Sequence, residues 1–215
     1  MIRVKICGLT RPEDVRAAVT AGADALGFVL APSPRCISVA QARRLLAGVP
    51  PFVTTVGVVV DQPLPLLQYS LEELGLDRLQ FHGQETNAWM RRFPRPRVIR
   101  ALRPAADAPL PVRDPAPAAG AYLVDALVPG QVGGTGKKSN WPFARHLRRF
   151  GKPVILAGGL TPENVSEAIR RVRPDMVDVS SGVELRPGVK DPARIRAFIR
   201  AVRRADGSSR RLACL

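Results

Sequence analysis

Eight short apolar runs, rich in valine and isoleucine, recur along the chain and alternate with amphipathic, polar-faced segments. They are Ile2–Cys7, Asp24–Leu30, Phe52–Val60, Arg78–Phe81, Arg97–Leu102, Ala121–Asp125, Pro153–Ala157 and Met176–Ser180. Runs that stay apolar at successive positions suit strands buried on both faces, as in a parallel sheet. Strands alternating with helical segments specify an α/β fold, either a closed barrel or an open doubly wound sheet. An internal echo favours the barrel. Gly8-Leu9-Thr10-Arg11-Pro12-Glu13 and Gly159-Leu160-Thr161-Pro162-Glu163 each follow an apolar run directly. With 215 residues and 46% hydrophobic content, the expectation is a single (β/α)8 TIM barrel, a fold that starts at roughly 200 residues.

Helix starts are marked by composition. Thr10 and Thr161 each stand just before a proline and acidic residues, Ser38 opens the second helical segment, and Asp191-Pro192 opens the last. Such residues cap helices or fit their first turn. One crossover breaks the pattern. Between Pro104 and Gly120 lie five prolines and many alanines with no helical period. A Pro/Ala-rich loop is therefore expected in place of the fifth helix. The catalytic barrel is expected to span 1–204, with 205–215 a basic, disordered tail.

Cys7, Cys36 and Cys214 are odd in number and widely spaced, and the histidines are only His82 and His146. This argues against a disulfide framework or a histidine-rich metal site, and no metal or cofactor is expected. No apolar run approaches the roughly 18 residues of a membrane span. The N-terminus reads as a strand rather than a leader, so a cytoplasmic protein is expected. The net charge of +15 would attract anionic substrates or nucleic acid, or is simply an arginine-rich surface, since Arg43-Arg44, Arg91-Arg92, Arg148-Arg149 and Arg170-Arg171 are spread over several helical segments. Few aromatics lie among the arginines, which makes nucleic acid the less favoured partner.

In a barrel of this kind, functional groups gather at the C-terminal ends of the strands. Cys7, Arg35, His82, Asp125, Gly158-Gly159 and Ser180-Ser181-Gly182 all fall there. The two glycine-containing turns follow the seventh and eighth runs, where backbone amides meet phosphate in many such barrels. Gly133-Gly134-Thr135-Gly136-Lys137 lacks the spacing of a P-loop and reads as a loop that folds over a ligand or merely connects. Cys7 is either a buried structural thiol or a reactive one. Amides of a helix opening after it would lower its pKa. Asp125, at the mouth of an apolar barrel, needs a partner or a task. His82 orients a ligand or satisfies a loop carbonyl.

Seven segments in order resemble the phosphoribosylanthranilate isomerase family. They are Lys5-Ile6-Cys7-Gly8-Leu9-Thr10, Gly27 to Arg35, Val56-Gly57-Val58, Leu79-Gln80-Phe81-His82-Gly83, Gly133-Gly134-Thr135-Gly136, Leu156 to Val165, and Asp178-Val179-Ser180-Ser181-Gly182-Val183-Glu184. The resemblance runs from about Met1 to Arg200. It implies an isomerase of tryptophan biosynthesis that converts N-(5-phosphoribosyl)anthranilate to 1-(2-carboxyphenylamino)-1-deoxyribulose 5-phosphate by an Amadori rearrangement. It further implies Cys7 as general base and Asp125 as general acid. Arg35 would contact the anthranilate part, with His82, Gly133 and Gly134 beside the substrate. Gly158, Gly159, Ser180, Ser181 and Gly182 would hold the phosphate. The partner is then a small anionic substrate, with the protein a monomer or homodimer.

Two departures stand out. Cys36 occupies a place where the family commonly has an aromatic residue, and Lys138-Ser139-Asn140-Trp141 replaces the usual Phe-Asp before the tryptophan. Ser139 and Asn140 still suit a helix cap. Two rivals remain at this stage. A phosphosugar epimerase would share the phosphate turns but would want metal-binding histidines. A nucleic-acid-binding barrel without catalysis would use the positive charge, and salt-dependent DNA binding would reveal it.

Overall fold

The computed structural model describes residues 1–126 and 139–212, with side chains described as far as Gly207. Eight parallel strands close into a barrel: β1 (Arg3–Cys7), β2 (Ala25–Val29), β3 (Thr54–Val59), β4 (Arg78–Phe81), β5 (Val98–Leu102), β6 (Ala121–Val124), β7 (Val154–Leu156) and β8 (Met176–Val179). Closure is made by β1 against β8, in the register Arg3 with Met176 through Ile6 with Val179. All eight expected runs form strands, most of them trimmed by a residue or two at the ends.

The strands divide their side chains between two cores. Val4, Ile6, Leu26, Phe28, Leu79, Phe81, Tyr122 and Val124 join the layer between barrel and helices. Ala25, Val56, Ile99, Ala101, Leu123, Ile155 and Ala157 form the inner cluster. Alternate residues of a strand point to opposite faces, so Lys5 and Cys7 share the inward face that Val4 and Ile6 avoid.

The helices are α1 (Pro12–Thr20), α2 (Val39–Leu46), α3 (Leu64–Glu72), α4 (Asn87–Met90), α5 (Trp141–Leu147), α6 (Val165–Val172) and α7 (Pro192–Leu212). Ser38 caps α2 in a full capping box with Gln41. Asn140 caps α5 through Phe143 N at 3.0 Å, and Asp191 accepts from Ala193 N at 2.8 Å. The two threonine caps are not found. Arg11 is the N-cap of α1, with no side-chain bond, because the Thr10 hydroxyl donates to the Gly188 carbonyl instead. At α6 the helix opens after Asn164. Asn164 binds back to Thr161 N at 2.9 Å and to the Gly159 carbonyl at 2.7 Å, so 161–164 becomes a turn.

No helix lies between β5 and β6. Prolines remove the donors a helix would use, and side chains pin the loop instead. Asp114 pairs with Lys152 at 2.7 Å and accepts from the Tyr122 hydroxyl. Lys152 also donates to the Ala116 carbonyl at 2.7 Å. Within the segment 205–215, the last helix runs to Leu212 and Ala205 is buried, while 213–215 lie outside the described residues. Among the described residues no helix is long and apolar enough to cross a membrane.

Candidate active site

The C-terminal ends of the strands surround a pocket of about 720 Å³ open to solvent. Cys7, Arg35, His82, Asp125, Gly158, Gly159, Ser180 and Ser181 all line it. Residues scattered over most of the sequence thus converge on one mouth. Gly182 lies one residue beyond Ser181, and Gly133 and Gly134 lie outside the described residues.

Cys7 ends β1 with 8% of its surface exposed. Room for its sulfur comes from Gly27 on β2, where an added Cβ would stand 2.6 Å from Sγ. The thiol does not sit at a helix N-terminus as the sequence suggested. The first helix begins only at Pro12, and the amides of Gly8 and Leu9 are both spent on the Gly27 carbonyl, at 2.9 and 3.1 Å. Burial pushes the thiol above its ordinary pKa and Asp178 reinforces this, while Lys5 and Lys190 pull it down.

Beside Cys7 on the same strand lies a buried charged group. Lys5 is fully buried, with Nζ donating to Asp178 Oδ2 at 2.9 Å and to Gln80 Oε1 at 3.0 Å. Burial opposes its charge, but Asp178 and Cys7 outweigh it and raise the pKa, so Lys5 stays an ammonium. The amide of Gln80 meets His82 Nε2 at 3.0 Å. Since an amide nitrogen only donates, this ring nitrogen accepts and the proton resides on Nδ1. Burial first, then the Lys5, Arg103 and Arg100 charges, lowers the His82 pKa to about 3, which keeps it neutral.

Asp125 follows β6 and is 6% exposed. Its Oδ1 accepts from the amide of Ala126 at 2.8 Å. Burial is the largest influence on it, with Asp178 acting the same way. Together they outweigh that bond and the charges of Arg103 and Lys5, and the pKa rises to about 6.

The turns after β7 and β8 form the adjoining wall. Their close approach explains Gly182: an added Cβ there would stand 1.9 Å from the Leu160 carbonyl oxygen. Lys190 reaches this wall, with Nζ 3.3 Å from the Ser180 carbonyl and 3.4 Å from its hydroxyl. Lys190 belongs to a hairpin, β9 (Glu184–Arg186) with β10 (Val189–Lys190), that the sequence did not suggest. Glu184 in that hairpin grips Arg35 through two bonds of 2.9 and 2.7 Å and binds Lys190 at 2.7 Å. Arg35 therefore presents its remaining nitrogen, Nη1, on a guanidinium fixed from behind. Cys36 is exposed. The Ser139-Asn140 departure supplies anchors of its own: Ser139 Oγ donates to the Ala157 carbonyl at 2.7 Å, and Asn140 Nδ2 to that of Ala105 at 2.9 Å.

Lys5, Gln80, Asp178, Glu184 and Lys190 carry no strand-end position to mark them in the sequence. The two-residue period does point to three, since Lys5, Gln80 and Asp178 stand two places before Cys7, His82 and Ser180.

Residues 4–201 match the profile of the N-(5'-phosphoribosyl)anthranilate (PRA) isomerase family. An N-(5'-phosphoribosyl)anthranilate isomerase of Pseudomonas fluorescens (strain Pf0-1) is 53% identical over 204 residues, which cover 94% of this chain and 98% of that protein. A phosphoribosyl anthranilate isomerase in complex with reduced 1-(o-carboxyphenylamino)-1-deoxyribulose 5-phosphate superposes with a TM-score of 0.76, at 34% identity, covering 94% of this chain and 99% of that one. The dimeric isomerase of Thermotoga maritima, solved as monomers, gives a TM-score of 0.77 at 33% identity, over 94% and 99% of the two chains.

Proposed function

The chain belongs to the N-(5'-phosphoribosyl)anthranilate isomerase family, and from that premise we propose that Cys7 and Asp125 serve its reaction as base and acid. The protein is the isomerase of tryptophan biosynthesis that turns N-(5-phosphoribosyl)anthranilate into 1-(2-carboxyphenylamino)-1-deoxyribulose 5-phosphate. One observation carries the assignment of roles: a single mouth collects a buried thiol from β1 and a carboxyl with a raised pKa from beside β6.

Asp125 donates its proton to the furanose ring oxygen. The C1–O bond breaks, and the lone pair of the anilino nitrogen forms a protonated C1=N bond. Cys7, as thiolate, removes the proton from C2, whose electrons form C1=C2 and neutralise the nitrogen. The enolamine then becomes the ketone as its C2 hydroxyl gives up a proton and C1 gains one. Arg35 receives the anthranilate carboxylate through Nη1, which Glu184 leaves uncommitted. The turns at Gly158-Gly159 and Ser180-Ser181-Gly182, with Lys190 beside them, take the phosphate. Neutral His82 donates through Nδ1 to the sugar.

The test is a fluorescence decay on purified protein, with the labile substrate generated in place from anthranilate by a coupled transferase. Cys7→Ala and Asp125→Asn are each expected to lose about 10²- to 10⁴-fold in turnover while remaining folded. Wild-type turnover in either would end its role, and a folded but inactive wild type would overturn the reading.

A second copy of the chain is the macromolecular partner supported best. Phe52 is 98% exposed on the N-terminal rim of the barrel. Beside it opens a cavity of about 780 Å³ whose lining combines apolar Ala25, Val56, Ile99 and Ile155 with charged Arg3, Arg78 and Asp175. A protruding aromatic beside a hole with apolar walls on one face can meet its own copy across a two-fold axis. Sedimentation should report a dimer for wild type and a monomer for Phe52→Glu, and a monomeric wild type would exclude the pairing. The cytoplasm suits a protein whose described thiols, Cys7 and Cys36, are both unbridged.

A further inference from the structure

We propose that Lys5 is a positioning residue, the buried counter-charge that lets the Cys7 sulfur become anionic. The inference rests on the reading of Cys7 as the base. Lys5 and Cys7 are two residues apart on β1 and lie on the same face. Both crowd the same point of β2: a Cβ added to Gly27 would stand 2.6 Å from Cys7 Sγ and 3.0 Å from Lys5 Cε. An ammonium carries three protons. Gln80 Oε1 and Asp178 Oδ2 accept two of them, which leaves the third for the sulfur beside it.

The surroundings say why a cation belongs there. A buried ion pair such as Lys5 with Asp178 is costly, and apolar side chains of similar volume often serve stability as well or better. One placed directly under a proton-accepting group has a use that apolar packing lacks. Four charged groups face Cys7: Lys5 on its own strand, Asp178 on β8, Lys190 on β10 and Arg35 from the loop after β2. Arg35 and Lys190 are both tied to Glu184. Lys5 is tied only to Asp178 among the described carboxylates, and it is the largest influence opposing the effect of burial on the thiol. When Cys7, as thiolate, accepts the C2 proton it becomes a neutral thiol, and when it gives that proton up it returns to thiolate, so Lys5 alternates between serving one anion and two.

The experiment measures the rate of Cys7 alkylation by iodoacetamide against pH, in a Cys36→Ser/Cys214→Ser background, alongside kcat and KM. Lys5→Met should slow alkylation at pH 8 about tenfold or more and move its profile to higher pH, one pH unit being a tenfold change in thiolate. kcat should fall with KM little changed. Lys5→Arg should recover part of both, and Asp178→Asn should shift the profile the other way. The charge-balanced pair Lys5→Met/Asp178→Asn guards against misfolding from a lone buried carboxylate. In it, alkylation and kcat should stay low. If that pair shows the wild-type profile and kcat, Lys5 merely neutralises Asp178 and the proposal is overturned. Failure of the base assignment is a separate outcome, read as full turnover in Cys7→Ala.

Discussion

The two flanks of the pocket handle charge in opposite ways. Around Cys7 the protein packs Lys5, Asp178, Glu184, Lys190 and Arg35, all largely buried and joined by ion pairs. Around Asp125 it places alanine and glycine, the carboxyl takes one bond from its own neighbour's amide, and burial, with Asp178 acting the same way, outweighs the charges of Arg103 and Lys5 that reach it. The contrast follows from what each group must do. A thiol that has to become an anion needs cations close by, whereas a carboxyl that has to keep a proton needs isolation.

The largest effect is expected from Asp125→Asn, which should lose turnover by orders of magnitude yet gain stability. A folded-state pKa of about 6 against 3.8 for the free carboxyl means the folded protein holds the proton more tightly. Stability then falls as pH rises from about 4 to about 6, by up to about 3 kcal/mol in all. Removing the charge should restore most of that at neutral pH and almost none at pH 3, as denaturant titrations at the two values would report. On the charged flank the next largest effect is expected from Arg35→Met. KM should rise about 10- to 100-fold, the value of a charge-assisted bond, with kcat changed little in steady-state assays. The smallest belongs to the quiet flank. Ser139→Ala loses the bond to the Ala157 carbonyl and should cost about 1 kcal/mol of stability in thermal unfolding without altering the pH–rate profile.

The quiet flank was legible in the sequence, as were Cys7 and Arg35 on the charged one, but the buried charges around them were not. Asp125, Gly158 and Gly159 end apolar runs, where an inward polar group or a turn is conspicuous. The absent fifth helix was equally plain, because prolines forbid it whatever else surrounds them. Lys5 lies inside an apolar run, and a lysine there reads as exposed since buried lysines are rare. Its burial depends on Asp178, 173 residues away, a pairing that no local pattern specifies. Glu184 and Lys190 were hidden for a related reason: their hairpin β9–β10 folds back on Arg35, and neither strand is long enough to show a period. Thr10 illustrates the reverse error. It has every local mark of a cap, but a tertiary acceptor at Gly188 claims its hydroxyl.

The burial of Cys7 has a consequence for the durability of the enzyme. Oxidants and electrophiles attack thiolates far faster than thiols, so a base made of sulfur risks irreversible damage whenever it idles in its reactive form. Here the resting sulfur is held as a thiol, since burial keeps its pKa above the ordinary range, while Asp125 is mostly ionised above pH 6. The combination that reacts, thiolate with carboxylic acid, is thus the scarcer arrangement of a single shared proton. Between about pH 6 and the thiol's own pKa its abundance does not change, so the rate should hold level across that span. Scarcity lowers the attainable speed, and in return it shelters the one atom the enzyme cannot replace.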